Sequence, residues 1–326
     1  MIDLAYPRGS DNIGDELNAW LWPALLGDLM VERQVTLMGI GTLLNESFCR
    51  QLPLHQDIFV MGTGAGYGPP PQRDQRWKFY AVRGPRTAAA LGLPGTCAVA
   101  DAAYLLASLD WHDATSNQPA KEVILVPHHR SLSLLDWASV CRQADVSFLS
   151  PLLPAGQFMA GLVRARLVLT EAMHGAILAD MARVPWRAFS FGKQFNRDKW
   201  LDWAEALEIN LEPNEIRGFY DPLHAPHLAH SRAKHYWRRL KASISAHGLG
   251  KSKWKSITPP SRSVERDVSD LAATLRRLAT SVGQLSDERI LLNRTERLLN
   301  TVNALRHDLA GGGAACRAFW RCIYFF

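Results

Sequence analysis

The chain has 326 residues, 47% of them hydrophobic, and 37 Lys and Arg against 31 Asp and Glu for a formal net charge of +6. That apolar share excludes a globally disordered chain and suffices for two ordinary domains. Five scattered cysteines with no CxxC pair exclude a disulfide framework and a zinc ribbon, and no stretch approaches the roughly 18 apolar residues of a membrane span.

The charge is uneven. Residues 1–216 hold 18 Lys and Arg against 23 Asp and Glu, while residues 217–326 hold 19 against 8, a net of +11. A basic segment of this size draws phosphate polymers or anionic lipid, and no RNA- or DNA-binding motif accompanies it, so no nucleic-acid partner is expected. The first residues contain no apolar run of signal-peptide length, and the expected location is the cytoplasm, with peripheral contact at the inner face of the cytoplasmic membrane.

In chain order, NIGDELNAWLWPALLG at 12–27 reads as a helix entered through Asn12, Gly14 and Asp15. Short apolar runs at 35–38, 58–61 and 78–82 then alternate with glycine turns and helical segments, the pattern of βαβ units in a parallel sheet. The string GTGAGYG after the second run lacks the dinucleotide fingerprint and fits close backbone approach to a ligand or tight turns, with Gly64 the candidate for ligand approach. Arg83 and Arg86 stand at the start of an Ala-rich helix, and residues 101–106 close a first domain at 1–109.

Polar residues 110–121 read as a linker. A second unit at 122–217 follows, with strands expected at 122–126, 146–149, 167–169 and 186–189 and helices at 133–144, 157–164 and 176–182. Residues 218–326 form a basic, helical extension in which Val264, Val268, Leu271, Leu275, Leu278, Val282 and Leu285 repeat at spacings of four and three. That seam predicts either a coiled coil between two copies of the chain or one amphipathic helix packed on its own domain. The aromatic and basic end at 319–326 suits a membrane interface or a groove of a partner subunit.

The stretch TEAMHGAILADMARVP at 170–185 follows the apolar run Leu167-Val168-Leu169. His174 therefore stands between the carboxyl end of a strand and a helix start, where ligands and anions bind in open α/β sheets. Together with the N-terminal NIGDE, the two strand-then-glycine segments, VRGPRTAAALGLPG and KWLDWAEAL, this order of pieces resembles the polysaccharide pyruvyltransferase family, in its bacterial exopolysaccharide ketal-pyruvate transferase branch. The resemblance covers roughly residues 10 to 210. It implies two Rossmann-like domains facing across a cleft, as in GT-B glycosyltransferases. It also implies transfer of the enolpyruvyl unit of phosphoenolpyruvate onto two hydroxyls of a sugar in a lipid-linked polysaccharide precursor, with no resident cofactor. A GT-B glycosyltransferase using a nucleotide sugar is the alternative, and a non-catalytic scaffold is a third.

Such a reaction needs a cationic clamp, a general acid, a base for the attacking hydroxyls and a dry cleft. His174 is the candidate acid, Asp15 the candidate base, and Glu171 the group that would orient or tune His174. Arg83, Arg86, His128 and Arg130 are candidate donor contacts, and Asn12 lines the same corner. In the wider family Arg-Leu precedes the histidine, whereas Ala172-Met173 stands here, so Lys193 and Lys199 are the cations that would replace the absent arginine. The adjacent His128 and His129 point in different directions with no carboxylate pair, and no metal is expected. All proposed donor contacts precede residue 200, so a chain cut near Gly218 is expected to keep them.

Overall fold

The computed structural model describes residues 2–9, 12–27, 29, 34–109, 122–192, 194–229 and 263–310. The expected linker at 110–121, Lys193, the basic stretch at 232–255 and the aromatic end lie outside them.

The first half is a four-stranded parallel sheet in the order β1 (Ile2–Leu4), β2 (Val35–Met38), β3 (Asp57–Met61), β4 (Trp77–Ala81). Helix α1 (Ile13–Leu26) links β1 to β2, the short α2 (Glu46–Cys49) follows β2, and α3 (Pro85–Ala90) follows β4. β2 and β3 are buried almost throughout, which is why they read as continuous apolar runs rather than alternating ones. The run expected to close this half is a 3-10 helix, Ala102–Ser108, whose N-cap Asp101 accepts from Ala103 N.

The second half is a five-stranded parallel sheet, β5 (Glu122–Val126), β6 (Ser147–Phe148), β7 (Ala165–Thr170), β8 (Trp186–Phe191) and β9 (Asn214–Ile216), in the order β6-β5-β7-β8-β9. Its helices are α4 (Trp137–Ala144), α5 (Ala155–Leu162), α6 (Met173–Met181), α7 (Arg197–Ala206) and α8 (Pro226–Ala229). The chain leaves β5 to one side for β6 and returns on the other side for β7, so the winding reverses between β5 and β7. That reversal opens a crevice at the carboxyl ends of these two strands.

The C-terminal extension folds back onto both halves. Helix α9 (Val264–Ala279) lies against α4, with Leu271, Leu275 and Leu278 buried in the core of the second half. Helix α10 (Glu288–Leu309) crosses β4 and the 3-10 helix, burying Leu298, Val302, Leu305 and Leu309 in the same cluster as α1 and α6. Lys78 and Tyr80 of β4 reach Asp308, and Arg306 donates to the carbonyl of Leu25. The seam that predicted a coiled coil is therefore covered within the chain. A homodimer through 264–285 loses the apolar face it was built on, since Leu271, Leu275 and Leu278 are unavailable and only Val282 is strongly exposed.

Candidate functional site

Five segments converge where the carboxyl ends of the two sheets meet: the start of α1, the turns after β2 and β3, the turn after β5, and the strand-to-helix turn from β7 into α6. That last turn forms because Thr170 Oγ1 accepts from Ala172 N and donates to Ala172 O, ending the strand at once and starting α6 at Met173. His174 thus sits in the first turn of a wholly buried helix and is itself only 7% exposed.

The imidazole packs on Gly14 at the start of α1. A methyl group at Gly14 would overlap His174 Nδ1, so this position must lack a side chain. The start of α1 is held in place by Asn18, a buried residue that donates to Ile40 O at 3.0 Å and accepts from Ile40 N at 2.8 Å and from Trp22 Nε1 at 3.0 Å. Ile13 N also donates to Pro151 O, which ties α1 to the second half. Asn12 is the N-cap residue of α1; its amide donates to Asp15 Oδ2 at 3.2 Å. Asp15 stands close enough to His129 to act on its charge. Neither α1 nor α6 is capped by its own N-cap side chain, so two positive helix ends face this corner.

The other face of His174 meets a residue that sequence reasoning did not single out. His174 Nε2 lies 3.8 Å from Asp101 Oδ2, and among the described residues neither atom has a hydrogen-bond partner. Asp101 is wholly buried. Its signal in the sequence was confined to the capping pattern before an apolar run, which is common to many helices.

Glu171 does not orient His174. It is fully buried and accepts from His128 N at 3.0 Å and Phe191 N at 3.2 Å, bracing the ends of β5 and β8 on either side of β7. Burial pushes its carboxyl up to about 7, against the opposing pull of the hydrogen-bonding groups around it, Ser131 and the His128 and Phe191 amides. This is a strut rather than a catalytic group.

The His128 and His129 rings lie against each other at a tilt of 33°, with centroids 4.2 Å apart. Burial drives His128 down to about 2 and His129 to about 4, with the neighbouring cations Arg130 and Lys199 acting in the same direction. Both rings are neutral near pH 7. His128 Nδ1 accepts from Arg130 N at 3.2 Å, which leaves its proton on Nε2. The two rings can therefore offer hydrogen bonds to a ligand but not charge. The cations at this corner are the exposed Arg130 and the half-buried Lys199, which stands in the first turn of α7 with its ammonium 5.8 Å from the Tyr67 ring. Asn196, which caps α7, donates to Gly66 O across the two halves at 2.7 Å.

Two expected donor contacts are elsewhere. Arg83 is 0% exposed and pairs with Asp202 at 2.9 Å; its remaining donors go to Thr42 Oγ1 at 2.8 Å and Ala65 O at 2.7 Å. It fastens the first half to α7, and its guanidinium lies where a side chain on Gly64 would be, which corrects the reading of both residues as ligand contacts. Arg86 makes a surface ion pair with Glu205 at 2.7 Å. Lys193 lies outside the described residues. Among the described residues no group of three or more His, Cys, Asp and Glu side chains gathers to hold a metal.

Comparison with curated proteins finds 35% identity over 208 residues, 63% of this chain, with the succinoglycan biosynthesis protein ExoV of Rhizobium meliloti (strain 1021). The chain is similar to a succinoglycan biosynthesis protein. The expected resemblance is borne out at that level. The match spans 64% of the relative's own length, just under two thirds. No protein-family profile matches the chain.

Proposed function

We propose that this chain is a polysaccharide pyruvyltransferase. It would move the enolpyruvyl unit of phosphoenolpyruvate onto two hydroxyls of one sugar in a lipid-linked polysaccharide precursor, releasing phosphate and leaving a cyclic pyruvate ketal. The observation that carries the reading is a buried histidine at the meeting point of two open parallel sheets, in a chain whose relative is named for succinoglycan biosynthesis. The two sheets serve as the walls of a GT-B-like cleft.

In this reading His174 protonates the methylene carbon, and positive charge develops at the adjacent carbon. One hydroxyl adds there as its proton passes to Asp15; phosphate then leaves and the second hydroxyl closes the ring. Two hydroxyl protons are released. One replaces the proton that His174 gave, and the other leaves with phosphate. Arg130, Lys199 and the uncapped starts of α1 and α6 favour the donor's carboxylate and phosphate. Neutral His128 and His129 donate hydrogen bonds without adding charge that would hold phosphate too tightly. The test is incubation with phosphoenolpyruvate and a pool of lipid-linked sugars, following phosphate release and the mass of the acceptor. A mass gain only with a nucleotide sugar would assign the cleft to glycosyl transfer instead.

A further inference from the structure

We propose that Asp101 is the positioning residue for His174, holding a proton on Nε2 so that Nδ1 is the nitrogen through which His174 takes up and gives its proton. The proposal rests on the reading that His174 transfers a proton. Two independent contacts set the ring. On one side the Oδ2 of a wholly buried carboxylate faces Nε2 at 3.8 Å, with no other partner for either atom among the described residues. An acceptor there favours a proton on the nitrogen it faces. On the other side Nδ1 and Cε1 pack on Gly14 in the first turn of α1, which fixes where the ring lies. The carboxylate selects the tautomer and Gly14 fixes the place of the ring.

The two partners come from different halves of the chain. Asp101 belongs to the turn that opens the first half's 3-10 helix, and His174 to the first turn of α6. At 3.8 Å the contact is longer than a hydrogen bond, so the carboxylate acts on the ring through its charge and as the nearest acceptor to Nε2.

The carboxylate also has a structural duty that the test must separate. Its Oδ1 accepts from Ala103 N at 3.0 Å, capping the 3-10 helix. Asp101→Asn keeps that cap, since Oδ1 still accepts from Ala103, and turns an N–H rather than an acceptor toward Nε2. Full-length protein labelled with nitrogen-15 histidine is examined by long-range proton–nitrogen NMR in mildly alkaline solution, with the His174 signals identified by their absence from His174→Gln. The expected result is a proton on Nε2 in the wild type and on Nδ1 in Asp101→Asn. Turnover should fall by on the order of 10²–10⁴-fold with KM little changed. A proton on Nδ1 in the wild type, or an unchanged tautomer in Asp101→Asn, overturns the proposal. If Asp101→Asn does not fold, the wild-type spectrum decides alone. The spectra need no substrate, so they judge the tautomer whether or not phosphoenolpyruvate is the donor.

Discussion

Gly14 shows how much of the site depends on a side chain that is missing. The ring of His174 occupies the space of its Cβ, so Gly14→Ala must drive the imidazole from its place between α1 and Asp101. Overpacking of this kind costs about 1–3 kcal/mol. We expect a modest fall in melting temperature and a disproportionate loss of turnover. Gly156→Ala, where an added Cβ on α5 meets nothing, is the control and should change neither. Equal activity in both variants would show that the ring's placement does not matter.

Glu171 carries a second residue-scale prediction. Its carboxyl is held at about 7 by burial, against an ordinary 4.5. The folded state therefore favours the protonated form. That contribution is complete below about 4.5 and is lost as pH rises through about 7, on the order of 3 kcal/mol. Glu171→Gln removes the titration. Urea denaturation across this window should show the wild type losing stability relative to the variant, and a flat difference would contradict the strut. His128 and His129 work in the opposite sense. Held down to about 2 and 4, they stabilise above 6.5 and withdraw that support as pH falls through those values, equally in both proteins.

At the scale of elements, the halves are fastened by buried polar pairs. Arg83 to Asp202 is one, and Tyr104 Oη donating to Asp180 Oδ2 at 3.0 Å is another. Asp202 also accepts from Thr87 N and Thr87 Oγ1, so it is fully engaged. Removing one member of such a pair leaves an uncompensated buried charge and costs about 3–5 kcal/mol. Arg83→Ala should therefore lower the denaturation midpoint strongly. Isothermal titration of the protein that remains folded should give an unchanged affinity for phosphoenolpyruvate. A selective loss of donor affinity at unaltered stability would return Arg83 to the cleft.

These pairs also explain what the sequence could not reveal. The turn into α6, the parallel strands and the entry to α1 were legible because local chemistry dictates them: an apolar run ended by Thr170, or glycine before an amphipathic helix. β1 and β9 were missed because three residues cannot display a period, and Asn214-Glu215-Ile216 lacks an apolar run. An arginine at the mouth of a strand reads identically whether it faces a ligand or a carboxylate 119 positions later. The same holds for Asp101, whose partner is 73 residues away in a different half. The heptad pattern was correct as a pattern; only the tertiary fold decides which surface covers it.

On the scale of the whole molecule, α9 and α10 are part of the core and not an appendage. A cut near Gly218 would strip the cover from α4 and from β4, exposing the apolar faces that Leu275, Leu298 and Leu305 now fill. The expectation that such a truncated chain keeps its donor site therefore does not hold. No helix among the described residues is long and apolar enough to cross a membrane. The net +11 of residues 217–326 remains, and each cation near an anionic surface contributes about 1 kcal/mol, screened beyond a Debye length of about 8 Å. Full-length protein should co-sediment with phosphatidylserine vesicles at low salt and be released at high salt. Indifference to such vesicles at low salt would leave the basic region to another partner.

The measurement that bears most directly on the central claim is a single transfer assay. Wild-type protein and His174→Ala, matched for folding by circular dichroism, are incubated with phosphoenolpyruvate and lipid-linked oligosaccharides. The wild type should release phosphate in step with a mass gain of the acceptor equal to one pyruvate ketal, and His174→Ala should be slower by on the order of 10²–10⁴-fold. Phosphate release with no change in the acceptor, or equal turnover by the two proteins, would contradict the account.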